Sequence, residues 1–141
     1  MLSKPTNGWT KITIQNFEFE ASYLTDVPND FKRALIVALR DDISTSVILD
    51  GESDGECIIL FNTYNNSVHA IYDDPYCEEK TCITFWDIDI ASIAKQFLLD
   101  VEANKLDWEW WLCDEEPHEI DLTELKKILN DRQRAQYAFS K

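Results

Sequence analysis

The residues that could carry chemistry begin with the stretch Asp50-Gly-Glu-Ser-Asp54-Gly55. Carboxylates interleaved with glycine are what a calcium loop uses, because a hard cation takes a shell of oxygen ligands. That template also needs an acidic ligand twelfth from the first Asp, and here the twelfth residue is Phe61. The flanks read as strands, not helices. The plainer reading is a solvated hairpin turn in which glycine supplies a positive φ.

His69 and His118, with Cys57, Cys77, Cys82 and Cys113, are the remaining candidate ligands and nucleophiles. A zinc site needs about four such ligands, usually in close pairs. Cys77 and Cys82 form a loose pair and no second pair accompanies them. A Cys–His nucleophile pair can be assembled by the fold alone, but it has no local signature here. Asp73-Asp74 followed by Glu78-Glu79-Lys80 is similar to the Asp…Glu-x-Lys pattern of metal-dependent nucleases. In that pattern the Glu and Lys lie on a strand, whereas here they precede one, beyond Pro75. No phosphate-binding glycine loop, dinucleotide fingerprint or nucleophile elbow occurs. The residues therefore predict no catalytic group, no metal and no cofactor.

Charge is more informative. The chain has 27 acidic against 13 basic residues, a net charge of -14. Such a charge repels phosphate backbones and anionic lipid, so neither nucleic acid nor membrane is an expected partner. From Asp41 to Glu79 there are ten carboxylates and no Lys or Arg, and from Leu106 to Leu125 there are eight and again none. A single charge run is ordinarily a solvated face. Two base-free segments of this length are unusual, because mixed surfaces intersperse the signs. They create a negative field that speeds and orients docking of a basic protein.

The first candidate contact residues are Glu52, Asp54, Glu56, Asp73, Asp74, Glu78 and Glu79, and the second are Asp114, Glu115 and Glu116. All fall in expected turns or loops, which lie at the surface. Trp108, Trp110 and Trp111 sit in the second base-free segment. Strand alternation there buries Trp108 and Trp110 and points Trp111 outward, as an interface anchor ringed by carboxylates.

The elements that must position these residues centre on residues 46–72. Three β-rich runs are separated there by two turn signals, Gly51–Gly55 and Asn65-Asn66, the pattern of an antiparallel meander. Its middle run, Cys57-Ile-Ile-Leu-Phe61, is apolar on both faces, as in a central strand covered on both sides. Residues 9–14 and 17–23 alternate and predict an N-terminal hairpin turning at Gln15-Asn16. Residues 81–86 are a further strand, and residues 106–112 an edge strand or an aromatic-rich loop. Helical spacing of apolar residues predicts helices over residues 28–40, 89–104 and 122–138. Asp26 or Asn29 caps the first, Asp87 or Asp89 the second, and Asp121 with Glu124 forms a capping box on the third. The tail from about Ala138 is expected to fray. The expected fold class is a single α+β domain over residues 1–141, with one mainly antiparallel sheet of about five to seven strands and three helices packed against it.

A length of 141 residues with 45% hydrophobic content is enough to bury a core without disulfides. No apolar signal segment follows Met1 and the cysteine spacing is irregular, so a cytoplasmic location with four reduced thiols is expected.

The chain resembles bacterial immunity proteins of contact-dependent inhibition and other polymorphic toxin systems. The residues that carry the resemblance are Gly8-Trp9-Thr-Lys-Ile-Thr-Ile14, Phe17-Glu-Phe-Glu-Ala-Ser-Tyr-Leu-Thr-Asp26 with Pro28, the acidic hairpin after Ile48-Leu49-Asp50, and the late Trp108-Glu-Trp-Trp111. The resemblance implies a small acidic cytoplasmic α+β protein, a monomer or weak dimer, that binds and neutralises one cognate toxin domain, often a basic nuclease. The competing reading is a small enzyme or small-molecule-binding domain. Its pocket would lie between sheet and helices and use His69, Tyr64, Tyr72 and nearby carboxylates. A deep apolar pocket with convergent polar groups would favour it.

Overall fold

The computed structural model describes residues 1–139, and its elements follow the two periods in the sequence. Strands β1 (Trp9–Ile14) and β2 (Phe17–Ser22) form the N-terminal hairpin, with Ile12, Ile14, Phe17 and Ala21 buried and the alternate charged residues outward. Helix α1 (Val27–Asp41) buries Phe31, Ala34, Leu35, Ala38 and Leu39 along one stripe, with Pro28 in its first turn. Asp26 holds the N-cap position, but its carboxylate accepts from the Asn29 side chain instead of the backbone. At the other end, Asp41 opposes the helix dipole. Both of its oxygens take the Arg40 guanidinium, at 2.8 and 2.9 Å, which holds the Asp41 carboxyl below its ordinary pKa. Asp42 then closes the helix in the left-handed region at φ 56°.

Strands β3 (Thr45–Asp50), β4 (Glu56–Asn62), β5 (Ser67–Tyr72) and β6 (Thr81–Phe85) form a second sheet in that order, every neighbouring pair antiparallel. A short 3-10 turn, Glu52–Asp54, joins β3 to β4. Helices α2 (Ile90–Ala103) and α4 (Thr123–Phe139) complete the larger elements, with the five-residue α3 (Lys105–Glu109) after α2. Asp89 caps α2, its carboxylate accepting from the Ser92 N–H at 2.7 Å. On α4 the expected capping box does not form, because the helix begins at Thr123 with Leu122 as its first carbonyl acceptor, one residue later than the box requires. Asp121 accepts from the Thr123 N–H, while Glu124 turns away to pair with Arg40 of α1. The end of α4 reaches Phe139; the rest of the tail expected to fray lies outside the described residues.

The molecule is α+β, with six strands in two antiparallel sheets of two and four strands. This corrects the single sheet of five to seven strands. The hairpin does not extend the larger sheet but lies across its inner face, where Phe17 packs on Tyr72 at 5.3 Å and Phe85 at 6.0 Å between ring centroids. Beside it, Phe31 of α1 packs edge-on against Phe61 of β4 and at a tilt against Phe97 of α2, and α4 packs on α1 and α2. One contiguous hydrophobic core runs between these elements and the sheet. The expectation of a middle strand covered on both sides is also corrected. On β4, Cys57, Ile59 and Phe61 are buried, but Ile58 and Leu60 on the opposite face are only half-buried, and Ile48 beside them is 50% exposed.

Among the described residues no helix is long and apolar enough to cross a membrane.

Candidate functional site

The first group of candidate acids gathers at one end of the four-stranded sheet. The β3–β4 turn is tightly made: Gly51 N–H donates to Gly55 O at 2.8 Å, and the Glu52 N–H donates to the Asp50 carboxylate at 2.7 Å. This is a compact turn whose Asp50 oxygen is already used by the backbone. Gly55 has φ +82° and ψ -162°, a conformation open essentially to glycine alone. A Cβ on Gly55 would also stand 2.6 Å from a carboxylate oxygen of Asp73. The bare backbone there lets the β5–β6 loop come against the β3–β4 turn.

Two hydrogen bonds between Asp73 and the Glu56 backbone fix the approach. Glu56 N–H donates to the Asp73 carboxylate at 3.2 Å, and Asp73 N–H donates to Glu56 O at 3.4 Å. The Lys80 ammonium binds the other Asp73 oxygen at 2.9 Å. Lys80 and then the Glu56 N–H hold the Asp73 carboxyl below its ordinary pKa. Asp50, Glu52, Asp54, Glu56, Asp73, Asp74, Glu78 and Glu79 thus share two adjoining segments with Lys80 as the one base. Between them lies an open cleft of about 480 Å3, lined by Phe19, Asp54, Tyr72, Asp73, Asp74 and Pro75 among others.

The second acidic group is elsewhere. Asp114, Glu115 and Glu116 follow α3 and are exposed. Asp114 pairs with His118 at 2.7 Å, and the His118 N–H ties the loop back to Glu109 O. Among the described residues no hydrogen bond or ion pair joins this loop to the first group.

The tryptophans require a correction. Residues 105–109 are helical and run into a turn in which Trp111 N–H donates to Trp108 O at 3.1 Å, so residues three apart share a face. Trp108 and Trp111 are therefore both buried, with ring centroids 5.2 Å apart, and the half-exposed indole is Trp110. Trp111 is 2% exposed and its indole N–H is spent on Thr25 O, so it is no exposed anchor.

The residues of the competing small-molecule reading are not brought together. Tyr64 is exposed in the β4–β5 turn, Tyr72 packs on Phe17 at the inner face, and His69 lies on the outer face. Both His69 ring nitrogens are occupied: Nε2 meets Ser67 Oγ at 2.8 Å and Nδ1 meets Thr84 Oγ1 at 2.9 Å. Ser67 is buried and donates its hydroxyl proton to Asn65, so the network is satisfied and presents no free nucleophile. Among the described residues no three His, Cys, Asp or Glu side chains are grouped to hold a metal ion. All four cysteines are free thiols, Cys57 buried and the others exposed.

Sequence reading missed the outer sheet face, although the doubly apolar run Cys57–Phe61 was its signal. Asp50, weighed there only as a calcium ligand in a hairpin turn, also stands on that face beside Glu56. No protein-family model, no curated protein and no solved structure matches this chain.

Proposed function

We propose that this protein is an immunity-type binding protein that neutralises a basic toxin domain, a nuclease being the favoured kind, by tight association and without turnover of its own. The observation that carries this reading is the convergence of the β3–β4 and β5–β6 loops into one carboxylate-rich end with a single lysine. Carboxylates held on exposed loops need no desolvation in the free protein, and their summed field raises the encounter rate with a cationic partner. The partner is a protein rather than nucleic acid or membrane, because the same field repels phosphate. A cytoplasmic location, with the binder a monomer or weak dimer in its free form, belongs to the same proposal.

Glu52, Asp54, Glu56, Asp73, Asp74, Glu78 and Glu79 are the contact residues of this reading, with Asp114, Glu115 and Glu116 a separate second patch. Neighbouring reading frames are the source of the candidate toxin. The test co-expresses each with this protein and measures association rates at low and high salt. Glu52→Gln, Asp54→Asn and Glu56→Gln together should leave folding intact and slow low-salt association about tenfold or more. Full protection with unchanged, salt-insensitive rates in this variant would sink the acidic-end mechanism.

A further inference from the structure

We propose that the outer face of the four-stranded sheet is the floor on which the basic partner docks. Its aliphatic patch of Ile48, Ile58, Leu60 and Ile71 receives apolar side chains, while cations of the same partner reach the carboxylate row alongside. This rests on the reading of the protein as a binder of a basic protein, and adds the surface and the chemistry of the contact.

An antiparallel sheet covered on one side ordinarily alternates apolar inward and polar outward. Here the helices and the hairpin pack on the inner face, yet the outer face carries four branched aliphatics. They are contiguous by register. Ile48, Ile58 and Ile71 are cross-strand neighbours in one row across β3, β4 and β5, and Leu60 lies in the next row beside His69. Ile48 is 50% exposed and Ile58, Leu60 and Ile71 are half-buried, and a contiguous aliphatic patch that reaches solvent marks an interaction site. None of the clefts described is lined by Ile48, Ile58, Leu60 or Ile71, so the face offers no pocket of the kind a small molecule fills and suits a protein surface. His69 adds ring surface to it without an unmet donor, since both nitrogens are bonded.

Charge decides the occupant. One row beyond Ile48 and Ile58, Asp50 and Glu56 stand directly opposite each other on the same face. Like charges in that arrangement are unfavourable. Asp73 adjoins Glu56 through their backbone hydrogen bond. A second copy of the chain would bring the same carboxylate row and another -14 charges. A partner whose apolar contact residues are bordered by Lys or Arg instead offsets the repulsion already present.

The test uses the full chain, isotopically labelled, and two cyclised β-hairpin peptides with equal numbers of arginines. One carries Leu and Trp on its contact face and the other carries Ser at those positions. The apolar peptide should bind about tenfold more tightly than the Ser peptide, as expected for one or two buried aliphatic contacts. Amide shifts should concentrate at residues 46–50, 56–60 and 69–71. Ile48→Ser, at a half-exposed site, should remove the preference while keeping the weak, salt-sensitive binding of the Ser peptide; Leu60→Ser is the second variant, and the amide spectrum checks both folds. Equal binding of the two peptides, or shifts confined to the loops, overturns the docking floor and leaves the acidic-end reading standing. Absence of binding by either peptide at low salt removes both readings. A dimer of the free chain that Ile48→Ser dissociates also overturns the proposal, since it makes a second copy the occupant.

Discussion

The indole N–H of Trp111 donates to the carbonyl of Thr25 over 2.8 Å, joining the segment after α3 to the loop that enters α1, 86 residues earlier. The Trp111 ring packs on Trp108, which is itself fully buried. Trp111→Phe keeps much of the packing but leaves the Thr25 carbonyl without this donor, a loss expected at about 1–3 kcal/mol. Trp111→Ala should cost about 3–5 kcal/mol, the range for truncating a large buried aromatic. Urea unfolding measures both. A near-neutral alanine variant would show that the Trp108–Trp111 pair contributes little to the core.

Asp89 should make stability depend on pH in a defined direction. The Ser92 hydrogen bonds hold its carboxyl below the ordinary range. Because the folded-state pKa is depressed, the contribution is complete above the unfolded value of about 3.9 and is lost as pH falls through the folded value. Asp89→Ala should cost about 0.5–2 kcal/mol at neutral pH, as other cap deletions do. The gap between wild type and variant should shrink as melts are repeated toward and below pH 4. A gap that stays constant into strong acid would mean the side chain acts by something other than its charge-assisted cap.

The cysteines should separate into two kinetic classes. Burial pushes the Cys57 thiol up to about 12, so it has almost no thiolate at neutral pH. Cys77, Cys82 and Cys113 are exposed. An aromatic disulfide reagent should titrate these three rapidly in the native protein, and Cys57 only on unfolding. Four fast groups, or fewer than four in guanidinium after purification without reductant, would contradict the assignment.

Asp50→Asn should raise the stability of the free protein. Asparagine keeps an oxygen for the Glu52 N–H while removing the like-charge contact with Glu56. The gain expected for one cross-strand pair is about 0.2–1 kcal/mol, and it should fade in high salt. Under the proposed function the same substitution slows association with the basic toxin. Stability and binding would then move in opposite directions, and comparing unfolding curves at low and high salt tests the first half without any partner.

Local patterns gave most of the elements. The meander, the N-terminal hairpin and the three longer helices follow from alternation, turn residues and apolar stripes, and Asp89 was readable as a cap because a cap acts within three residues. What depends on distant contacts was not readable. Nothing near Phe17 shows that its ring rests on Tyr72 and Phe85, which places the hairpin over the sheet instead of at its edge. The Trp108–Trp111 stretch was misread because five residues are too few to distinguish a period of two from one of 3.6. Half of the candidate site was legible as composition, since base-free segments can be counted. Its gathering into one end required the glycine at position 55 and the Asp73–Glu56 contact, and the second acidic loop did not join it.

Strand β6 ends the four-stranded sheet, with β5 on one side and, among the described residues, no strand on the other. A terminal strand is a template on which another chain can polymerise. This one is five residues long, preceded by Glu78, Glu79 and a Lys80 already paired with Asp73, and followed by Asp87 and Asp89. Two molecules meeting edge to edge would press carboxylates together at both ends. The acidity therefore also acts as a colloidal safeguard, keeping dispersed a molecule that leaves both a strand edge and aliphatic side chains open to solvent. Acid removes that safeguard: near the isoelectric point of about 4.3, where the net charge vanishes, the same surfaces should cohere and the solution should cloud, clearing again in stronger acid as the bases leave a net positive charge.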